Sequence, residues 1–442
     1  MMMKQELYDL ADKAIKIAKA AGADDCRVSI NGERFVEISY RDRRPEGIKE
    51  ATSRGLQVEI FVNKRYSVQA TSDLRPQALK SFIEKAVAST RLLEEDPLRT
   101  LPDPKYYQGR QNIDLKQFDP DYKKLTPEDR HSFVRAIEDS CLAKGGDKVI
   151  SVTGSGYDSY SEQVLMASNG FDGYVEYTAF YGAAEMTARD EGDRRPAEYN
   201  VAIAMIRKDL PRPEDIGAEA AARTLSLLGA RKIKTETLPI IIENRVAGQV
   251  AGGLLQAMVG RNIQQKQSFL ADKKGQKTGS EKLTLVDDPF IPGGLGSRTF
   301  DGEGLAAKKM VMIEGGVLRE FYVDWYYGRK LGWEPTTGSP SNLVIPPGKR
   351  SVKEIMKDLG RGIFVTGFIG GNSNSTTGDF SIGIIGQLFE KGEIVHPVSE
   401  MNIADNHLKF WPRLVEAAND PYPYSQVRLP SLVFDSVVVS GI

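Results

Sequence analysis

Leu56-Gln57-Val58-Glu59-Ile60-Phe61-Val62 and Tyr66-Ser67-Val68-Gln69-Ala70 flank the pair Asn63-Lys64. In the first run Leu56, Val58 and Ile60 occupy alternate positions, so they share one face of a strand. The second run repeats the pattern through Tyr66, Val68 and Ala70, and Asn63-Lys64 is read as the turn between them. Upstream, Cys26, Val28 and Ile30 alternate with polar residues before Asn31-Gly32, and Phe35 and Ile38 follow. Asn-Gly predicts a further hairpin there, because both turn positions take positive φ. Helical spacing brackets these strands. Leu7, Leu10, Ala11, Ala14, Ile15 and Ala18 precede Gly22, a natural stop. Leu79, Phe82, Ile83, Ala86, Val87 and Thr90 follow Pro76, which suits a first helical turn. Residues 1–95 thus read as helix, four strands, helix: an antiparallel α+β domain.

Working outward, residues 96–125 carry Pro97, Pro102, Pro104 and Pro120 among polar residues and read as a linker or crossing segment. Thr126-Pro127 opens a helix whose stripe is Phe133, Val134, Ile137 and Cys141. Strand-like runs follow at 149–153, 163–167, 173–179 and 183–189, with a turn at Asn169-Gly170. A helix then runs through Ile216, Ala220, Ala221, Leu225 and Leu228 to Gly229. Residues 126–232 form a middle α+β domain that echoes the first. In 233–442 a buried strand at 238–242 leads to Asn244, which is expected to cap a helix to about Val259. Short strands at 308–314, 317–323, 362–366, 380–389 and 433–439 are punctuated by glycine and proline. They predict a β-rich, barrel-like C-terminal domain.

The 442 residues are enough for two or three domains. A net charge of −1 leaves no basic surplus, so direct nucleic-acid binding is not expected. Arg231-Lys232-Ile233-Lys234 reads as a solvated linker. Two cysteines, Cys26 and Cys141, do not make a disulfide scaffold and indicate a reducing compartment. From Met1 to Asp9 there is no apolar core of a signal peptide, and no run approaches a membrane span. The expected location is cytoplasmic.

Three histidines, His131, His396 and His407, are present, and no two sit at ligand spacing. The chain therefore cannot build a zinc-protease site of its own. His396 and His407 flank Glu400 and Asp405 but are expected to be ordinary hydrogen-bonded residues. Asp301 and Glu303, beside glycines, are expected to shape a turn rather than bind a cation. Gly154-Ser155-Gly156 lies in a strand-rich stretch and reads as a bulge or turn, not a nucleophile elbow. Gly293-Gly294-Leu295-Gly296 lacks the lysine of a phosphate loop and reads as a flexible loop. The segment Gly370-Gly371-Asn372-Ser373-Asn374-Ser375-Thr376-Thr377-Gly378, followed by Asp379, has small side chains and many hydrogen-bonding groups. It is expected to line a groove or a partner interface.

Several segments, in order, resemble the TldD/PmbA family, also named for modulation of DNA gyrase. They are 55–62 with 70–74, Thr299-Phe300-Asp301-Gly302-Glu303-Gly304, 312–318, and 367–372 leading into 377–381. The resemblance spans essentially the whole chain. It implies two kinds of subunit. The TldD kind carries His-Glu-x-x-x-His on the helix opening the C-terminal domain, which with a cysteine holds zinc for hydrolysis. Here Gly248 and Gly253 stand at the histidine positions and Gln249 at the glutamate, and no cysteine follows Cys141. The chain is accordingly similar to the PmbA (TldE) kind, a non-catalytic subunit without a cofactor of its own. Zinc is expected only in a TldD-type partner, in a heterodimer, with a homodimer as the alternative. The implied substrate is a peptide, such as an antibiotic precursor or an antitoxin. Two other readings are a non-proteolytic protein-binding modulator, for example of gyrase, and an independent hydrolase with an acidic site.

Overall fold

Asn63 and Lys64 form the turn that their setting predicts, with φ of 48° and 59°. The computed structural model describes residues 4–442; the leading Met1-Met2-Met3 of the stretch read for a signal peptide lies outside the described residues. The first unit comprises α1 (Lys4–Ala20), β1 (Asp25–Arg41), β2 (Arg44–Val62), β3 (Arg65–Thr71) and α2 (Pro76–Thr90). The second comprises α3 (Pro127–Gly145), β4 (Val149–Ala167), β5 (Asp172–Ala188), β6 (Ala197–Ala204) and α4 (Pro213–Leu225). Both units run α-β-β-β-α. Their strands join in one antiparallel sheet of order β3-β2-β1-β4-β5-β6.

Asn31-Gly32 does not turn. β1 passes straight through it, with Asn31 opposite Gly55 on one side and Gln163 on the other. The reversal comes at Asp42-Arg43, φ 53° and 59°, so the first unit has three strands, not four. Two long ladders hold β1 extended and override the local turn preference. Gly32 serves a close approach instead: a Cβ there would lie 3.0 Å from Glu162 Oε1. Gly154-Ser155-Gly156 likewise is neither bulge nor turn but regular β4, paired with β1 and β5. Its glycines admit α3, since a Cβ on Gly156 would sit 2.6 Å from Val134 Cγ2. The fragments expected at 149–153 and 163–167 are parts of β4, and those at 173–179 and 183–189 parts of β5. β6 was not anticipated.

The amphipathic helices cover one face of this sheet. Leu7, Ala11, Ala14 and Ala18 of α1 and Leu79 and Ile83 of α2 pack on Val28, Ile30, Val58 and Ile60. Burial of each large aliphatic side chain contributes about 1.5–3 kcal/mol. At the start of α3 Thr126 Oγ1 accepts the Asp129 N–H at 3.1 Å, and Asp129 Oδ2 accepts the Thr126 N–H at 2.9 Å. Removing this reciprocal cap by Thr126→Ala is expected to lower stability by about 1 kcal/mol. A urea midpoint that falls at unchanged slope would show it.

The C-terminal region is β-rich, as expected, and its strands form open sheets rather than a closed barrel. In order it holds β7 (Glu236–Ile242), α5 (Asn244–Ala257), α6 (Gly260–Gln264), β8 (Leu285–Asp287), β9 (Met310–Glu314) and β10 (Val317–Leu318). Then come α7 (Trp325–Leu331), β11 (Leu343–Val344), α8 (Val352–Leu359), β12 (Arg361–Ser373), β13 (Asp379–Glu390) and β14 (Glu393–Asn406). The chain ends with α9 (His407–Phe410), β15 (Leu414–Ala417), β16 (Val427–Arg428) and β17 (Leu432–Val439). The larger sheet has the order β14-β13-β12-β7-β17-β15, and the smaller β10-β9-β8-β11-β16. The run expected at 317–323 is strand only over its first two residues, and β14 was not foreseen. Among the described residues no helix is long and apolar enough to cross a membrane.

Candidate functional site around helix α5

Ile240, Ile241 and Ile242 are buried in β7, which lies between β12 and β17. This apolar run delivers the chain to α5 at a fixed point. Glu243, not Asn244, is the N-cap residue, and the Asn244 N–H donates to Ser431 Oγ at 3.1 Å. Val246, Ala247, Val250, Ala251, Leu254 and Ala257 form the buried face of the helix. Gly248 and Gly253 are half-buried, and Gln249 is exposed.

The space beside Gly253 is already filled. A Cβ there would lie 2.3 Å from His407 Nε2 and 2.6 Å from Ser373 Oγ. His407 is 2% exposed. Its ring stacks on Phe269 with centroids 5.6 Å apart and lies 4.8 Å from Phe380. The Trp411 indole N–H donates to Nδ1 at 3.3 Å. An indole can only donate, so Nδ1 accepts and Nε2 carries the proton, donating to Ser373 Oγ at 3.0 Å. Burial pushes the His407 pKa down to about 4, so the ring is neutral near pH 7. At Gly248 a Cβ would stand 3.2 Å from Val427 Cγ1, a tight contact.

The segment 370–378 meets this helix through Ser373. It is not all loop: Gly370, Gly371 and Asn372 belong to β12, with a register shift between Ile369 and Asn372. Gly371 has φ 106°, and a Cβ there would strike Ser381 O at 2.7 Å. The turn proper is tied internally. Asn374 Oδ1 accepts the Thr376 N–H at 2.9 Å, and the Gly378 carbonyl accepts the His407 N–H at 2.8 Å. Asn406 Nδ2 donates to Asp379 Oδ1 at 2.9 Å, and this bond with that of Thr377 holds the Asp379 carboxyl below its usual range. The Asn372 side chain is exposed.

Other candidates stay apart. His396 and Asp405 lie on one strand nine residues apart, roughly 30 Å at ~3.3 Å per residue. His396 Nδ1 bonds Pro397 O at 2.9 Å; Glu400 pairs with Lys232 at 3.2 Å and Asp405 with Arg413 at 3.5 Å. Asp301 Oδ1 accepts from the N–H groups of Glu303 and Leu305 at 2.9 and 3.0 Å, the expected turn. The loop at 293–296 is packed rather than free, with the Gly296 N–H bonded to Asn342 Oδ1 at 2.9 Å. Cys26 and Cys141 are free and buried, and burial pushes both thiols up to about 12.

Zinc takes imidazole nitrogen, thiolate sulfur or carboxylate oxygen. Two glycines and a glutamine offer none of these, and among the described residues no group of three or more His, Cys, Asp or Glu converges. The residues at positions 248, 249 and 253 do not fit zinc. Sequence reasoning missed a polar cavity beside Gln249, lined by Glu198, Arg223, Arg245 and Tyr422. These residues come from distant segments, and no local pattern marks them.

Three family models match: the PmbA/TldA metallopeptidase domain 1 over residues 26–90, its central domain over 120–228 and its C-terminal domain over 235–441. Metalloprotease PmbA of Escherichia coli O157:H7 is 28% identical, over 98% of this chain and 96% of that one. The solved structure of a Bacteroides thetaiotaomicron protein, described as a proposed modulator of DNA gyrase, is 34% identical with a TM-score of 0.97 over all of both chains. TldE of Thermococcus kodakarensis shares the fold, at 24% identity and a TM-score of 0.87, over 98% of this chain and 100% of that one.

Proposed function

This chain belongs to the PmbA/TldD metallopeptidase family, and we propose that it is a non-catalytic, PmbA/TldE-like subunit of a TldD/TldE-type zinc metalloprotease that degrades or processes peptides. The observation that carries this reading is the filled space at Gly253. A ligand side chain there would have to displace His407, a buried ring with both nitrogens engaged. Zinc, borne by a TldD-type partner, would polarise the scissile carbonyl and activate water. This chain's part is to complete the chamber and position the peptide. Of the segment 370–378, Asn372 and the Nδ2 of Asn374 are available to a partner or peptide, while Asn374 Oδ1 is engaged within the turn. The two free cysteines favour a cytoplasmic setting. Where a TldD-type chain is absent, a homodimer takes the place of the heterodimer.

Co-purification with the TldD-type chain of the same organism tests this, followed by peptide cleavage assays on each chain and on the mixture. Cleavage by the mixture only, abolished by a chelator, is the expected result. Cleavage by this chain alone would overturn the reading. A second reading, a non-proteolytic protein-binding modulator, rests on the description of the Bacteroides relative. It predicts that function survives mutation of the partner's zinc ligands.

A further inference from the structure

The helices cover one face of the six-stranded sheet, where Val36 and Ile38 pack with Val134 of α3. Alternation turns the residues between them to the opposite face. There the ladders set Glu37, Tyr157, Tyr181 and Ile203 in one row across β1, β4, β5 and β6. Ser39, Ser155, Ala183 and Val201 form the next row, and Glu185 and Tyr199 stand in the row beyond. On the near side lies Phe35, stacked on Tyr157 with centroids 5.7 Å apart, and then Glu33, in register with Tyr177 across Ser161. This face is open: Tyr177 is 37% and Tyr199 54% exposed, and Glu37 and Glu185 are exposed as well.

Its charge is one-sided. Glu33, Glu37 and Glu185 have no ion pair among the described residues; Glu33 accepts the Tyr157 hydroxyl at 3.0 Å. Of the cations on the same face, Arg27 is bound to Glu59, and Arg41 pairs with Glu46 at 2.9 Å. Lys49, opposite Glu37 in the ladder, lies over the Phe35 ring at 5.0 Å. Three glutamates thus stand against one unpaired lysine. Behind burial and Tyr199, the charges of Glu185 and Glu37 help hold the Tyr181 hydroxyl above its ordinary range, so both carboxylates bear on the same ring.

Tyrosine rings present electron-rich faces to cations. The row of small side chains between two rows of larger ones leaves a trough in which methylenes can lie. Across four strands at ~4.8 Å spacing the trough runs roughly 14 Å, room for a lysine or arginine side chain. A second copy of this chain is a poor occupant, since an isologous contact would bring the same glutamates together. We propose that this open sheet face binds lysine and arginine side chains of an unfolded peptide. A peptide is the bearer because the three family models that match are metallopeptidase domains. The inference rests on the reading of this chain as the subunit that positions the peptide, and it names the peptides favoured.

Calorimetric titration of the full chain with three capped peptides tests it: acetyl-Ala-Lys-Ala-Lys-Ala-amide and its counterparts with glutamine or glutamate in place of both lysines. The lysine peptide is expected to bind tenfold or more tighter than the glutamine peptide, and the glutamate peptide no tighter than the glutamine one. The double substitution Glu37→Gln with Glu185→Gln, at two exposed positions, should remove most of that advantage. Glu94→Gln with Glu214→Gln takes the same charge from exposed positions off this face, after α2 and in the first turn of α4, and should leave the advantage intact. Tyr199→Ala should weaken the lysine peptide roughly two- to fivefold. Equal affinity for the lysine and glutamine peptides, undetectable binding of both included, would overturn the proposal. So would equal losses in the two double variants, which would mean attraction by net charge alone. Cleavage by the mixture with the TldD-type chain decides the subunit reading separately, so a failure of one is told apart from a failure of the other.

Discussion

Placing histidine at position 253, alone or with Gly248→His and Gln249→Glu, is expected to destabilise the chain by more than about 3 kcal/mol and to yield no zinc-dependent cleavage. The reason is steric before it is chemical. A Cβ at Gly253 would stand 2.3 Å from His407 Nε2 and 2.8 Å from its Cε1. Overpacking of this kind costs about 1–3 kcal/mol even when neighbours can shift. Here the neighbour is held between Phe269 and Phe380 and bonded to Trp411 and Ser373. Moving it strands the Trp411 indole N–H, at about 1–3 kcal/mol more. The adjacent glycine is the control. A Cβ at Gly252 would meet nothing within 4 Å, so Gly252→Ala should stabilise by roughly 0.5–1 kcal/mol through helix propensity. Gly253→Ala gains the same propensity and should still lose stability. Denaturant melts of the two alanine variants decide the matter. If they are equally stable, the imidazole yields freely and position 253 is open to a ligand. Adding His407→Ala to Gly253→His should recover part of the loss, because it vacates the same space.

That contact also marks where sequence reading ends. The missing donor atoms at Gly248 and Gly253 are plain in the residue names. The ring that fills the space beside Gly253 is not, because His407 follows β14, an element whose residues gave no usable signal. Local chemistry was legible wherever local energy decides: the Asn63-Lys64 turn, the Thr126 cap and the Asp301 turn all form as read. It misled where tertiary pairing outweighs it. Asn31-Gly32 is a strong turn pair, yet β1 carries ladders on both edges, and bending there would sacrifice both. Gly154 and Gly156 are flat for a related reason, since their value is the approach of α3 rather than a change of direction. The cavity beside Gln249 was invisible because Glu198, Arg223, Arg245 and Tyr422 meet only once β6, α4 and α5 are packed.

Stability should fall by about 2–3 kcal/mol between pH 5 and pH 8 through Glu303, and Glu303→Gln should abolish that part of the loss. Glu303 lies where the first sheet meets the C-terminal region. Its Oε2 accepts the Trp325 N–H at 2.8 Å, and its carbonyl accepts from Arg27 Nη1 at 3.2 Å. Arg27 itself is bound to Glu59 by two bonds of 2.9 and 2.8 Å. Its charge is thus shared with Glu59 and offsets only part of the burial at Glu303. Burial is the leading cause that pushes the Glu303 carboxyl up to about 7; the Trp325 bond and Arg27 pull the other way, and Asp301 and Asp324 add to the rise. A carboxyl raised on folding binds its proton more tightly in the native state. Its contribution is therefore complete below the unfolded pKa of about 4.3 and disappears as pH rises through 7. Carboxylates held low, such as Asp96, act in the opposite sense only at acid pH, outside this window. Glutamine keeps an oxygen for the Trp325 N–H and carries no charge at any pH. Urea unfolding of both proteins from pH 4 to pH 8 should give similar stabilities near pH 4, a gap that widens up to about pH 7 and a constant difference above it. Parallel curves would mean that Glu303 titrates as an ordinary carboxylate, and that water reaches this junction between the first sheet and the C-terminal region.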